Sequence, residues 1–270
     1  MYDIIMQDFD ITPYLSQIYL PKASSTKGDN GRVLVIGGSE LFHAASFWAA
    51  CMASRIVDMV HFSSPTMINN DLMRTKAKEK FWDGIVVPYE EIDHYIEEDD
   101  VILIGPGMER GETTKQIINA FLSKYPNKKW VVDGGALQEV DPSLLNSNMI
   151  ITPNVREIEM IETKLSDNIF TLPCTILTKG PTDTISYWNT GLPENQKTLQ
   201  ITGGSPGMTK GGTGDVLAGL VAGLSAKSEV FASCVVASYV NKASSEKLGT
   251  FLSPNDLITS NVTTLSSLLK

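Results

Sequence analysis

The residues best suited to chemistry lie in one segment, GGSPGMTKGGTGDVLAGLVAGL, which spans residues 203–224. Glycine has no Cβ, so its backbone N–H groups can approach a ligand closely. Where such groups open a helix, they and the helix dipole attract an anion. The stretch KGGTG at 210–214 therefore predicts an anion cradle. Its backbone donors would come from Gly211, Gly212, Thr213 and Gly214. Lys210 either offsets phosphate charge or lies in solvent.

Asp215 follows the last of these glycines. Capping of the helix is one explanation, since aspartate is a common capping residue. A carboxylate beside an anion site is electrostatically unfavourable, however, unless it acts on the substrate. There it could accept the proton of a hydroxyl that attacks a phosphoryl group. The segment lacks the GxxxxGK[ST] pattern of a P-loop. It also comes too late, and without a long parallel strand before it, for a dinucleotide-binding fingerprint.

The elements that position this segment alternate between apolar strands and helices. Strand-and-turn segments are predicted at 32–38, 60–64, 101–107, 129–137, 149–154, 175–180 and 183–188, the last pairing with its successor as a hairpin. Helices are predicted at 44–58, 113–124 and from about 155, with two closing helices at 215–226 and 229–248. This alternation predicts an α/β fold with a mainly parallel central sheet and helices on both faces.

Ligands of such sheets bind beyond the carboxyl ends of the strands. Small and polar residues follow five of the predicted strands, and we expect them to line one crevice, although ordinary turn chemistry explains any one of them. The five turns are at 37–39, 105–107, 133–135, 152–154 and 179–180.

Composition excludes several classes of function. The 270 residues fit one large α/β domain or at most two smaller ones. The net charge of −9 argues against general nucleic-acid binding. No uninterrupted apolar run reaches the roughly 18 residues of a membrane span, and the first residues lack the basic region of a signal peptide.

Cysteine and histidine spacing predicts neither a disulfide framework nor a zinc site. Cys51, Cys174 and Cys234 are widely spaced, which indicates small buried residues in a reducing cytoplasm. His61 and His94 have no partner spacing for a metal. The acidic run at 90–100 is interpreted as a solvated face.

The motifs together resemble a known family. GGTGD followed by VLAG looks like the anion-hole motif of the ribokinase-like superfamily. GRVLVIGGS, AASFWAA, IGPGM, DGGAL, ITPNVREIE and LTKGPTDTI precede it in the order found in NAD(P)H-hydrate dehydratases. The resemblance spans about residues 27–245. It implies a single domain over 1–270, without the epimerase domain that is sometimes fused in this family.

The resemblance implies a metabolite-repair reaction. Such an enzyme dehydrates the (S)-hydrate of NADH or NADPH (NADHX or NADPHX) with ADP or ATP, and Mg²⁺ bridges the nucleotide phosphates. Asp215 would be the base, and the backbone amides of Gly212 and Gly214 would help to stabilise the developing charge. The family also implies a homotetramer in the cytoplasm and a functional link to a separate NAD(P)H-hydrate epimerase.

Further site residues follow from the same resemblance, position by position. The implied nucleotide contacts are Lys179, Gly180, Pro181, Thr182, Asp183, Lys210, Gly211, Thr213 and Gly214. The implied substrate contacts are Ala44, Ala45, Gly107, Asn154 and Asp215. Glu157 would lie near the metal or phosphates, or else be a solvent-facing helix residue. Asp133 would orient a loop or bind substrate.

Two positions depart from the family pattern. Asn154 stands where the family usually has histidine, and an amide cannot carry a proton. His43 stands where the family usually has glycine, so it either alters substrate access or simply starts a surface helix.

Two other functions stay open at this point. A small-molecule kinase of the same superfamily would use the same aspartate and glycines but release a stable phosphate ester. A non-catalytic nucleotide sensor would bind without turnover, which the intact Asp215 argues against. The motif context favours the dehydratase, and neither the phosphoryl donor nor the preferred hydrate is fixed.

Overall fold

The computed structural model describes residues 9–75, 84–188 and 196–270. Within them, nine strands form one sheet. They are β1 Arg32–Ile36, β2 Met59–Ser63, β3 Gly84–Val86, β4 Val101–Ile104, β5 Lys129–Val132, β6 Met149–Ile151, β7 Thr175–Thr178, β8 Thr182–Trp188 and β9 Gln196–Thr202.

The strand order is β3-β2-β1-β4-β5-β6-β7-β8-β9. Strands β1 to β7 pair in parallel, whereas β8 and β9 are antiparallel additions at one edge. The expected pairing of 183–188 with its successor is confirmed, since Thr182 pairs with Thr202 and Trp188 with Gln196. The carboxyl ends of the seven parallel strands therefore meet at one edge.

The helices are α1 Thr12–Leu15, α2 His43–Ala53, α3 Met67–Thr75, α4 Ile92–Glu98, α5 Glu112–Lys124, α6 Gly134–Glu139, α7 Val155–Leu165, α8 Thr213–Ser225, α9 Val230–Leu248 and α10 Pro254–Leu268. They cover both faces of the sheet because alternate side chains of each strand point to opposite sides. Val33 and Val35 of β1 lie in one core with α2, α8, α9 and α10. Leu34 and Ile36 lie in the other with α4 to α7. The predicted fold class is confirmed.

The expectation of two closing helices is incomplete, because α10 follows them. Its composition is rich in Ser, Thr and Asn, which obscures the apolar periodicity of a helix. A local signal was nevertheless present. Ser253 and Asp256 form a capping box, with Pro254 at the first helical position.

The acidic run at 90–100 is not wholly a solvated face. Asp99 is only 1% exposed and pairs with the buried His61 at 2.9 Å. The carboxyl group can be buried here because His61 Nδ1 provides a hydrogen-bond partner at 2.9 Å. Of the cysteines, Cys174 and Cys234 are buried as expected, and Cys51 is partly buried. None of the described helices is long and apolar enough to cross a membrane.

Helix α8 packs closely on α2 through its small residues. A Cβ added at Gly219 would lie 2.3 Å from the carbonyl oxygen of Ala49, and one at Gly223 would lie 2.8 Å from Ile56 Cβ. Both distances are too short for a real side chain, so the two helices can approach this closely only because these positions are glycine. The contact fixes α8, and with it the residues at its amino terminus.

Candidate active site

The glycine-rich segment turns directly into α8. Gly212 is the N-cap residue, with φ of +99°, and no side chain caps the helix. A Cβ at Gly212 would lie 2.4 Å from the Trp48 ring and 2.6 Å from Pro254 Cγ. Asp215 is the third residue of the helix rather than its N-cap. The interpretation of Asp215 as a simple N-cap is therefore wrong, and its carboxylate is left for another role.

Lys179 places a cation beside this helix terminus. Its Nζ lies 2.5 Å from Asp133 Oδ1. The same oxygen accepts a hydrogen bond of 2.8 Å from Thr152 Oγ1. A Cβ added at Gly214 would lie 3.6 Å from Lys179 Nζ, so the ammonium group lies against the first turn of α8. Three strand ends and one helix terminus thus bring these groups together, and Asp133 orients the lysine.

Charge and burial set the protonation of Asp215. Burial raises the pKa of Asp215 to about 7, the nearby Asp133 carboxylate adds to the rise, and Lys179 opposes it. For Lys179, burial disfavours the ammonium form, but the Asp133 and Glu157 carboxylates outweigh that effect and raise its pKa. At neutral pH the site therefore holds a cationic lysine next to a carboxyl group that can both bind and release a proton.

Asn154 and Glu157 form the capping box of α7. Asn154 Oδ1 accepts from the backbone N–H of Arg156 and Glu157, and Glu157 Oε2 accepts from the N–H of Asn154 at 2.8 Å. Glu157 Oε1 accepts from Gln138 Nε2 at 3.0 Å. Glu157 is only 4% exposed, so the solvent-facing alternative is wrong. Both Glu157 oxygens are engaged in the fold, and Asn154 Oδ1 is engaged in the cap although the residue is exposed.

The loop after β7 is held from beneath by a lysine that the sequence analysis missed. Lys242 of α9 is fully buried, and its Nζ donates to the carbonyl oxygens of Gly180, Pro181 and Gly203 at 2.8, 3.2 and 3.2 Å. It also pairs with Asp183 at 3.2 Å. The signal in the sequence was weak: one lysine within an otherwise small and apolar helical run.

Asp183 is buried, and its contacts are internal to the protein. Its Oδ1 accepts from the Gly180 N–H at 3.0 Å, and its Oδ2 accepts from Ser238 Oγ at 2.7 Å. These bonds give the side chain a structural role in shaping the loop. Thr182 Oγ1 lies 2.8 Å from Thr202 Oγ1 across the hairpin. Nucleotide contact by the loop stays a prediction.

Two of the expected substrate contacts, Gly107 and Ala45, lie against each other near the ends of β1 and β4. Gly107 has φ of +73°, and a Cβ there would lie 2.2 Å from the Phe42 carbonyl oxygen and 3.1 Å from Ala45 Cβ. Ala44 and Ala45 are partly exposed. His43 is exposed and begins α2, which fits the surface alternative.

These contacts are continuous with the lysine site. A Cβ at Gly105 would lie 1.8 Å from the Asp133 carbonyl oxygen, so the turns after β4 and β5 touch. A cavity of 440 Å³ lined by Gly38, Ser39 and Met108 lies beside Gly107. A larger one, of 630 Å³, lies at the opposite, amino-terminal end of the strands and away from these groups.

Lys210 is exposed but not free in solvent. Its Nζ donates to the Leu252 carbonyl oxygen at 2.8 Å and lies 5.8 Å from the centre of the Phe251 ring. Gly211 is exposed, and a Cβ there would meet nothing within 4 Å. The outer part of the predicted cradle is therefore open.

Comparison with known proteins identifies relatives of this chain. The family described as NAD(P)H-hydrate dehydratase matches residues 33–263. The chain is 35% identical over 245 residues to a bifunctional NAD(P)H-hydrate repair enzyme Nnr of Methanocaldococcus jannaschii, covering 87% of this chain and 48% of that protein. It thus spans about half the length of that relative.

Other relatives match along most of their length. An ADP-dependent (S)-NAD(P)H-hydrate dehydratase of Nitrosopumilus maritimus is 30% identical, with 92% of this chain and 93% of that protein covered. Among solved structures, a ribokinase-like superfamily protein of Enterococcus faecalis superposes with a TM-score of 0.80 at 22% identity, covering 96% of this chain and 95% of that one. At 22% identity, the similarity to the E. faecalis structure shows a shared fold.

Proposed function

Since the chain belongs to the NAD(P)H-hydrate dehydratase family, we propose that it converts the (S)-hydrate of NADH or NADPH back to NAD(P)H at the expense of ADP. One observation carries the proposal. Asp215, whose pKa burial raises to about 7, lies behind a glycine-rich helix terminus and beside Lys179. The N. maritimus relative is named ADP-dependent, which favours ADP over ATP as the donor.

The proposed chemistry begins with a proton transfer. Asp215 accepts the proton of the C6 hydroxyl of the hydrated nicotinamide ring, and the freed oxygen attacks the terminal phosphoryl group of ADP. Backbone N–H groups of residues 211–214 stabilise the charge that develops on the transferred group. AMP leaves, so the hydroxyl, a poor leaving group, becomes a phosphate ester.

The second half of the reaction is an elimination. The ring-nitrogen lone pair expels phosphate from C6, and C5 then loses a proton to solvent water, which restores the double bond of the dihydronicotinamide. The products are NAD(P)H, AMP and inorganic phosphate. Lys179 supports both halves, because its charge lies against the first turn of α8, where the phosphates are expected.

Mg²⁺ is expected to accompany the nucleotide, where it would offset the negative charge of the phosphates. The described residues contain no group of three His, Cys, Asp or Glu side chains that could hold a metal. Glu157, the candidate from the sequence, has both carboxylate oxygens engaged in hydrogen bonds. The side chains present therefore do not fit a dedicated metal site, so we assign no protein ligand to Mg²⁺ and derive no step through it.

The proposal is tested by the absorbance of the restored dihydronicotinamide. Purified protein is mixed with NADHX or NADPHX and Mg²⁺, and ADP or ATP is added in parallel. A nucleotide-dependent rise that is lost in Asp215→Ala supports the dehydratase and identifies the donor. A stable phosphate ester in place of NAD(P)H would instead indicate a kinase, and nucleotide binding without turnover would indicate a sensor.

Further expectations belong to the same proposal. We expect a cytoplasmic homotetramer that works alongside a separate NAD(P)H-hydrate epimerase. Light scattering of the purified protein tests the tetramer. Adding an epimerase to a mixture of the two hydrate epimers tests the link, because complete conversion then requires both enzymes.

A further inference from the structure

Phe251 is the feature that the proposed reaction leaves without a role. It is 91% exposed, more than any other large apolar side chain in the described ranges. A single exposed apolar residue is common on protein surfaces, so exposure alone assigns nothing. Its position relative to the glycine-rich segment is more informative.

The short connection that carries Phe251, between α9 and α10, is fixed against that segment. A Cβ added at Gly207 would lie 2.7 Å from the Thr250 carbonyl oxygen. Lys210 Nζ donates to the Leu252 carbonyl oxygen at 2.8 Å. The backbone on both sides of Phe251 is therefore held next to the residues that lead into the cradle, and the ring is displayed on a rigid support.

The same connection is close to the loop expected to contact the nucleotide. Lys242 of α9 holds the carbonyl oxygens of Gly180 and Gly203 together. One turn further along α9, Ser245 Oγ and Glu246 Oε1 accept from the N–H groups of Ser205 and Gly204 at 2.9 and 2.8 Å. The loop after β7, the start of the glycine-rich segment and Phe251 thus all border the carboxyl-terminal end of α9.

The ring also lies beside a cation. Lys210 Nζ is 5.8 Å from the ring centre, within the range of a cation–π contact. From the cradle outward, the surface therefore presents backbone N–H groups, an ammonium group and an aromatic ring. An adenine nucleotide has the matching order of anionic phosphates followed by a planar base, and bases stack on aromatic side chains.

We propose that Phe251 is the platform on which the adenine ring of the nucleotide stacks, with the phosphates at residues 211–214. The inference rests on the proposed function for the identity of the nucleotide. Phe251 lies outside the segments that the sequence motifs indicated. Lys210 makes two contacts in this arrangement, one with the Phe251 ring and one with the Leu252 carbonyl oxygen.

Calorimetric titration with ADP and Mg²⁺ tests the proposal on the full chain. Phe251→Ala should weaken ADP binding about tenfold, the effect expected when one base loses an aromatic partner. Phe251→Tyr should bind nearly as well as the wild type, because it keeps the ring. Ile85→Ala is the matched control: Ile85 is 48% exposed on β3, at the far edge of the sheet, and its loss should leave ADP affinity unchanged.

Activity gives a second readout. With the hydrate as substrate, Phe251→Ala should raise KM for ADP and leave kcat at saturating ADP unchanged, because the ring does not touch the reacting atoms. A folding defect would instead lower the active fraction of the protein and hence kcat.

The outcomes separate this inference from the proposed function. If Phe251→Ala binds ADP with wild-type affinity, the stacking role is overturned but the proposed reaction is not. This holds also if that variant changes its oligomeric size. Tight ADP binding that depends on Phe251, without dehydratase turnover, supports stacking while the proposed reaction fails. A wild-type protein that binds no adenine nucleotide overturns both.

Discussion

At Asp215, two opposing effects set the protonation state. Burial and the Asp133 carboxylate raise its pKa to about 7, and the Lys179 ammonium limits that rise. A general base is most effective when its pKa lies near the working pH. An exposed aspartate would be ionised but too weak a base to take a proton from an alcohol. The environment, more than the residue type, makes this carboxylate suitable as a general base.

The pH dependence of the reaction follows from this shift. Only the ionised carboxylate can accept a proton, so kcat/KM should rise with pH through about 7. Asp215→Asn should lower the rate on the order of 10²–10⁴-fold. Initial rates measured across this range check both expectations. A wild-type profile that stays flat through neutrality would contradict the role of Asp215 as the base.

Lys179 and Asp133 should displace that profile in opposite directions. Lys179→Met removes the charge that lowers the pKa of Asp215, so the midpoint of kcat/KM should move to higher pH. Asp133→Asn removes a charge that raises this pKa, so the midpoint should move to lower pH. Comparing the two fitted midpoints is the measurement. Shifts of the same sign in both variants would indicate general disruption of the site.

At the scale of the element, the amino terminus of α8 combines two kinds of glycine. Gly212 has positive φ and lies against Trp48, so its backbone conformation and its packing both exclude a side chain. Gly211 is exposed, and a Cβ there would touch nothing. The fold thus explains Gly212, whereas no contact within the described part of the protein requires glycine at Gly211.

Alanine at these two positions should therefore have different consequences. Gly212→Ala should lower the free energy of unfolding by about 2 kcal/mol or more, because it combines backbone strain with a steric overlap. Gly211→Ala should leave stability within about 0.5 kcal/mol of the wild type, yet weaken ADP binding by crowding the phosphates. Urea denaturation and ADP titration of both variants provide the measurements. Full ADP affinity in Gly211→Ala would argue against close backbone contact with phosphate.

At the scale of the whole molecule, the site has a cost in stability. The pKa of Asp215 is about 7 in the folded protein, against 3.8 as the ordinary value. A raised carboxyl pKa means that stability is greatest below the unfolded value and falls as pH rises through the folded one. Asp215→Asn removes this effect because the amide does not titrate.

Asp215→Asn should consequently be more stable than the wild type at alkaline pH. The difference in unfolding free energy should be on the order of 4 kcal/mol above pH about 7 and shrink toward zero as pH approaches about 4. Denaturation of both proteins at several pH values tests this. A variant less stable than the wild type at alkaline pH would show that the carboxylate is better compensated than its burial indicates.

Local sequence determines the fold class of this protein and the position of Asp215. Apolar strands alternating with helices give a parallel sheet, because both faces must be covered. The stretch KGGTGD places Asp215 in the first turn of a helix. These features depend on neighbours in the chain, so pattern and residue type suffice to predict them.

Tertiary structure alone decided the electrostatics of the site. Asp133, Thr152 and Lys179 come from three strands, and their ion pair depends on a sheet order that local patterns do not encode. Lys242 lies about sixty residues along the chain from the loop that it holds, and Phe251 reaches the glycine segment only through the packing of α10. Sequence thus indicated Asp215 as the proposed base. The long-range contacts, which no local pattern reports, decided the charges around it and hence its pKa.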